Sequence, residues 1–459
     1  MRVLNLLYLL TLASSCALAD PALVLSGGTL VDVSNLGRST GDVKDAVVVI
    51  QNGKIVAAGA RQHVAIPDDA KIVDTVGTFI VPGLHDVFAV VNNQAQANAF
   101  LYMGVTAIVG VGDEGQRRGP LYMKASPGPR IYPLADLMGI DFSAVAPEKL
   151  VSLSALVKYG RRMTDLELRA DIDAKAATGV KVLLLYYTLN AHQVKVAARH
   201  ARKRGIATIG ELGATHYRDA IAAQVSAFVH TSRYSLDLAP APLRDDVAAE
   251  PFGPARGRFY EYLMTLSGED AAVKRHGRML AANQVGLIPT LAMAYLDLPG
   301  HSNPWQEPVA AILDPADIHL PADRLTGERP IAADAIADGL PKGALGHLEI
   351  LERAYCQAGA KYLSGSGTDA FGTLPGISLH IELQRLVSMC LTPRQALAAA
   401  TSNVGELFGW ESVGTLAPGA DANVLILQAD PTLDIANLKN IRQMVLQGKL
   451  IDRERLLKR

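Results

Sequence analysis

Polar and apolar positions along the chain change period twice. From Ala22 to Pro82, alternating or β-branched runs (Ala22 to Val33, Ala46 to Gln51, Gly53 to Gly59, Ile72 to Pro82) are separated by turn residues such as Asn52-Gly53. A period of two predicts half-buried strands, and Asn-Gly between two of them predicts a tight hairpin, so this segment reads as a small antiparallel β module. Near the other end, Ala422 to Leu427 and Ile441 to Gln447 are again strand-like, with Gly448-Lys449 as the turn. Each end alone has too few strands to be stable in water, so the two are expected to pair into one β-sandwich.

Between them the pattern changes to short apolar runs alternating with helical stretches. The runs are Leu84 to Val91, Val105 to Val111, Arg130 to Leu134, Val180 to Leu185, Ala207 to Gly210, Ala227 to Val229, Gly286 to Leu291 and Lys361 to Gly365. Helical spacing is found at Asn190 to Arg204, Tyr217 to Gln224, Leu348 to Gly359 and Ile377 to Met389. Eight such runs predict an α/β fold, a (β/α)8 TIM-like barrel whose functional site lies at the C-terminal strand ends. The predicted organisation is a composite β domain from residues 20–83 and 403–459 around a barrel from 84 to 402. Ala239 to Gly257 and Pro299 to Lys342 are predicted as long loops capping the barrel mouth.

Composition narrows the function classes. The chain has 459 residues, 49% hydrophobic and 19% charged, enough to bury a large core. Lys plus Arg number 44 against 45 Asp plus Glu, and no strong concentration of positive charge stands out, which removes the basis for a dedicated nucleic-acid binder. Three Cys are too few for a disulfide-framed scaffold or a multi-cysteine zinc module. Residues 1–19 read as a signal peptide: Arg2, an apolar stretch from Val3 to Ala13, and Ala17-Leu18-Ala19 before Asp20. The expected location is therefore outside the cytoplasm, in a periplasm-like compartment. Leu12-Ala13-Ser14-Ser15-Cys16 is similar to a lipoprotein box, which leaves lipid anchoring through Cys16 as an alternative. No later segment has the ~18 apolar residues needed to span a membrane. Cys356 and Cys390 lie on successive predicted helices, and sequence leaves open whether they pair.

Several strings together resemble the amidohydrolase superfamily, in its exported imidazolonepropionase-like and prolidase-like branch. They are Gly27-Gly28-Thr29-Leu30-Val31-Asp32, Val81-Pro82-Gly83-Leu84-His85-Asp86, Gly104-Val105-Thr106, Gly367-Thr368-Asp369-Ala370, Ala398-Ala399-Ala400-Thr401 and Gly414-Thr415-Leu416-Ala417-Pro418-Gly419-Ala420-Asp421-Ala422. The resemblance implies a barrel that holds one or two divalent metals, which acidify a bound water and polarise an amide carbonyl. The implied ligands are a His-x-His pair on strand 1, a lysine on strand 4, histidines on strands 5 and 6, and an aspartate on strand 8.

Carried over position by position, most of that set is replaced. The strand 1 pair falls on Phe88 and Val90, and the strand 4 lysine, placed by the following Leu185-Tyr186, falls on Leu184. His85 precedes Asp86 by one and is expected on the opposite strand face, as a structural histidine; Lys181 is likewise expected on the opposite face from Leu184. The strand 5 histidine is Glu211, in Gly210-Glu211-Leu212-Gly213. The strand 6 histidine and the strand 8 aspartate are kept as His230 and Asp369.

Phe88, Val90 and Leu184 cannot donate electrons, so this donor set excludes a two-metal mechanism. The leading expectation is a pseudo-hydrolase that binds a small molecule, with Glu211 and Tyr186 as substrate-binding candidates and no cofactor. The alternative is an active hydrolase of amide, cyclic-amide or dipeptide C–N bonds using one metal or none. In that case Asp369 and His230 are the catalytic candidates, and Glu211, His230, Asp369 and Asp86 could hold at most one divalent metal such as zinc, if Asp86 shares the inward face with positions 88 and 90. A homo-oligomer is compatible with either reading.

Overall fold

The computed structural model describes residues 21–111, 127–149, 153–329 and 343–458. The expected signal peptide, Cys16 and residues 330–342 of the second expected loop lie outside the described residues.

Eight parallel strands form the barrel sheet in chain order: Leu84–Ala89, Val105–Val111, Arg130–Leu137, Val182–Leu185, Ala207–Gly210, Ala227–Val229, Gly286–Ile288 and Lys361–Tyr362. Past the short last strand, Val87 N–H donates to the Ser364 carbonyl at 2.9 Å and Val90 N–H to Thr368 at 2.7 Å, which joins the eighth position to the first. One buried cluster then draws residues from every strand, among them Val87, Val109, Leu134, Leu184, Ile209, Val229, Ile288 and Leu363. Only the barrel interior can bring all eight together, so this cluster marks the inward face. Val404 and Phe408 of helix Ser402–Phe408 join it and close the floor.

Helices between strands carry the start signals that their sequence writes. Thr164 with Glu167, Asn190 with Gln193, and Thr392 with Gln395 each form a reciprocal capping box, which satisfies backbone N–H groups that the first turn leaves without partners. Leu183 and Leu185 point into the outer core beneath these helices, while Leu184 points inward, as strand parity requires.

The two chain ends pair into one sheet of eight strands, with Val424–Leu427 antiparallel to Phe79–Pro82. The sheet is mixed rather than antiparallel, because Leu23–Leu30 runs parallel to both Lys71–Asp74 and Phe79–Pro82. Asn52 and Gly53 both have positive φ, as the expected hairpin turn demands. At the C-terminal hairpin the turn is Gln447-Gly448 rather than Gly448-Lys449, again because both residues adopt positive φ.

Three further expectations change. Ala239 to Gly257 is not a plain loop: Pro240 precedes helix Ala241–Ala249, and helix Ala255–Leu263 follows. Strand 7 stops at Ile288, because Thr290 turns to φ 55° and starts a 3-10 segment. Positive charge is concentrated after all, since Ala191 to Arg204 carries five Lys and Arg and no Asp or Glu. Among the described residues no helix is long and apolar enough to cross a membrane.

Cys356 and Cys390 are bonded, with Cα atoms 6.1 Å apart and a sequence separation of 34. They tie the end of helix Ala344–Gln357 to the end of helix Ile377–Met389. Closing a loop of this length removes unfolded-state entropy worth ~3–4 kcal/mol. Thiol reductant is therefore expected to lower Tm by a few degrees, and Cys356→Ser to do the same without reductant. An unchanged Tm on reduction would mean that the bond contributes nothing.

Candidate functional site

Strand 1 does not keep simple parity. Its register against strand 2 slips between Asp86 and Ala89, so Val87 and Phe88 both pack against the interior cluster. Before the slip, His85 shares the inward side with Val87, and Asp86 goes with Leu84 on the outer side. The expectation that Asp86 faces inward with positions 88 and 90 is thus corrected, and so is the outward placement of His85. The His85 ring stacks on inward-facing Tyr132 at 6.3 Å, and its Nδ1 lies 3.2 Å from the Gly83 carbonyl. Burial lowers its pKa to about 4, which makes it a neutral structural group.

Asp86 is completely buried. Its Oδ1 accepts from the Ser366 N–H at 2.9 Å and the Phe88 N–H at 3.3 Å, and Oδ2 has no partner among the described residues. Burial raises its pKa to about 7, against the opposing effect of those hydrogen bonds.

At the mouth the remaining candidates each have a different neutral group beside them. His230 follows strand 6 in a left-handed backbone conformation, φ 51°. Its Nδ1 is 2.6 Å from Thr290 Oγ1, which itself donates to the Pro289 carbonyl, so the histidine is the donor in this pair. Phe88 meets the His230 ring edge-on at 5.4 Å. Glu211 Oε1 accepts from Tyr234 O–H at 2.9 Å, and the Tyr234 ring lies 6.2 Å from that of His230. Tyr186 packs on the rim of the interior cluster with its ring 4.3 Å from Tyr187. Burial, then the Glu211 carboxylate, raise the Tyr186 pKa, so its hydroxyl stays protonated. Asp369 is half-buried, and its Oδ2 accepts from Asn92 Nδ2 at 3.0 Å.

Glu211, Tyr234, His230 and Phe88 therefore form one contiguous patch, whereas Asp369 is anchored on the strand 1 side by Asn92. A cavity of about 30 Å3 borders His230, lined also by Arg233, Thr290, Met293 and Glu349. Guanidinium groups cross nearby aromatic faces, Arg233 over Tyr234 at 5.2 Å and Arg256 over Tyr187 at 5.0 Å. Asn92, Thr290 and Tyr234 are absent from the sequence-based candidates. None belongs to a motif string, and only their placement in space reveals them.

Metal fit is decided by donor chemistry. The strand 1 and strand 4 positions hold Phe88, Val90 and Leu184, and Asp86 is engaged on the outer side of strand 1. Among the described residues no group of three or more His, Cys, Asp or Glu is placed to hold a metal ion. Phe88, Val90 and Leu184, the positions to which the resemblance assigns three of the ligands, have no side-chain donor atom for a metal.

Residues 346–451 match the model of the amidohydrolase family. No curated protein matches the chain. The fold is similar to a solved Xaa-Pro dipeptidase with methionine bound in its active site, at TM-score 0.61 and 15% identity, covering 94% of this chain and 100% of that one. It is similar to A. niger ochratoxinase, at 0.60 and 15% over 94% and 96%, and to molinate hydrolase, at 0.59 and 14% over 95% and 96%. These likenesses show the fold: a barrel with a second sheet built from the chain ends.

Proposed function

We propose that this chain is an exported amidohydrolase-like barrel whose mouth binds a small molecule without hydrolysing it by the two-metal route. The observation that carries this reading is the apolar filling of former ligand positions: Leu184 is 3% exposed inside the interior cluster, and Phe88 lies against His230. These side chains contribute packing where metal donors are needed. Glu211 and Tyr186 at the rim, with His230 beside them, supply the polar contacts for a ligand.

The second reading, a hydrolase of C–N bonds with one metal or none, is favoured by the half-buried Asp369 at the end of strand 8. A carboxylate there is placed to move a proton.

Elemental analysis of mature protein purified without chelators is expected to find less than about one equivalent of zinc, manganese or iron. N-acyl amino acids, dipeptides and cyclic ureides should not be turned over. Stoichiometric metal that Glu211→Ala or His230→Ala abolishes would overturn the reading. So would turnover that falls at least ~100-fold in Asp369→Asn.

A further inference from the structure

The outer surface of the barrel carries a groove of about 760 Å3 between helix Asp165–Ala177 and helix Ala191–Lys203, the helices before and after strand 4. Its acidic groups are already engaged. Asp165 lies 2.8 Å from His192 and 3.5 Å from Arg169, and Asp173 lies 2.7 Å from both His200 and Arg204. Lys195, Arg199 and Lys203 line the same groove, exposed, and have no ion pair with any carboxylate among the described residues.

These three cations stand four residues apart on one helix face, where like charges repel. Lys203, in the last turn, is compensated by the helix dipole, but Lys195 and Arg199 are not. The row therefore weakens the helix, and an anion laid along it would reverse that cost. Its pitch is about 6 Å, and its length about 12 Å. An extended peptide with an acidic side chain at every second residue presents carboxylates about 6.7 Å apart on one face, nearly in register. No Phe, Tyr or Trp lines the groove to stack nucleic-acid bases. Its concave walls also lack the apolar, convex face that an interfacial membrane helix requires.

We propose that this groove is a docking site for an extended acidic segment of a partner protein. The probe is a fluorescein-labelled peptide of alternating Glu and Ser, followed by anisotropy at low and at physiological salt, with the Gln-and-Ser peptide as control. Wild-type protein should bind the acidic peptide and not the control, more weakly as salt rises. The triple variant Lys195→Glu, Arg199→Glu, Lys203→Glu should lose at least about tenfold in affinity. Arg199→Glu alone creates attractive pairs with Lys195 and Lys203, so it should keep or raise Tm while weakening the peptide. That combination separates lost docking from lost folding. Equal binding by the triple variant, or no binding of the acidic peptide at low salt, would overturn the proposal. It would also fall if phosphatidylglycerol vesicles or a single-stranded oligonucleotide of matched charge bound more tightly than the peptide through the same three residues.

Discussion

Asp86→Asn is expected to stabilise the protein at pH 8 and to destabilise it at pH 4. In the folded protein the Asp86 carboxyl titrates at about 7, against 3.8 for an unperturbed aspartate, because it is completely buried with one oxygen lacking a partner among the described residues. Between those two pH values the folded state keeps a proton that the unfolded chain has released. Stability therefore falls as pH rises through that window, and the penalty is complete above about pH 7. Three pKa units correspond to about 4 kcal/mol. Asparagine keeps the acceptor for the Ser366 and Phe88 N–H groups but buries an amide without a partner, at about 1–3 kcal/mol. The net gain at pH 8 is thus about 1–3 kcal/mol, turning into a loss of about 1–3 kcal/mol at pH 4, where Asp86 is already neutral and only the amide cost remains.

The wild-type pH curve alone does not show this, because other buried groups oppose it. His85, His276 and His380 are each lowered to about 4 by burial, so the unfolded chain binds more protons than the folded one between about 4 and 6.5. Their contribution is lost as pH falls through that range, the reverse of Asp86. Urea midpoints of variant and wild type at pH 4, 6 and 8 isolate the aspartate, since every other group cancels in the difference. A difference independent of pH would show that Asp86 does not titrate in this range. A variant less stable at pH 8 would show that the carboxylate is charged and compensated.

The barrel strands were legible because most have one face in the interior cluster and the other under helices, which gives short apolar runs bounded by turns. Strand 1 was the exception. A one-residue slip near Val87 moved Asp86 outward and His85 inward, and nothing in Leu84-His85-Asp86-Val87-Phe88 announces a bulge. The cap of the mouth was misread for a different reason. Ala241–Ala249 follows one proline and contains another, Pro242, in its first turn, where proline starts a helix as readily as it marks a loop. Whole-chain charge near zero concealed the cationic helix because it averages over distant surfaces. The partners Asn92, Thr290 and Tyr234 were beyond reach, since hydrogen bonds to His230, Glu211 and Asp369 follow from where loops end, not from local pattern.

The motifs that carry the resemblance are largely scaffold. A side chain at Gly83 would place its Cβ 2.2 Å from Thr106 Oγ1, and one at Gly414 would lie 2.1 Å from the Thr401 carbonyl. The strings around Gly83 and Thr106, and those around Thr401 and Gly414, are thus pairs of surfaces in close contact. They can persist with or without chemistry at the mouth, because they hold strand 1 against strand 2 and the chain return against the barrel. The positions to which the resemblance assigns metal ligands lie at the opposite end, and Leu184 tests that assignment.

Leu184→Lys, which introduces the residue type that the resemblance implies there, is expected to destabilise the protein by about 1–4 kcal/mol. It would bury an ammonium where Leu184, Leu134 and Ile209 now share one apolar cluster, with the carboxyl of Asp136, in register with Leu184 on the neighbouring strand, as its partner. Asp136 Oδ1 is buried without a partner among the described residues, and burial raises the pKa of its carboxyl, so the new pair would still carry a desolvation cost. Leu184→Met conserves volume and polarity and should cost less than about 1.5 kcal/mol, which separates charge from shape. Urea unfolding of both variants, with and without added zinc, is the measurement. Wild-type stability in Leu184→Lys, or stability restored by zinc, would mean that the position retains the polar surroundings of a metal centre, and the binding-only reading of the mouth would give way to the hydrolase.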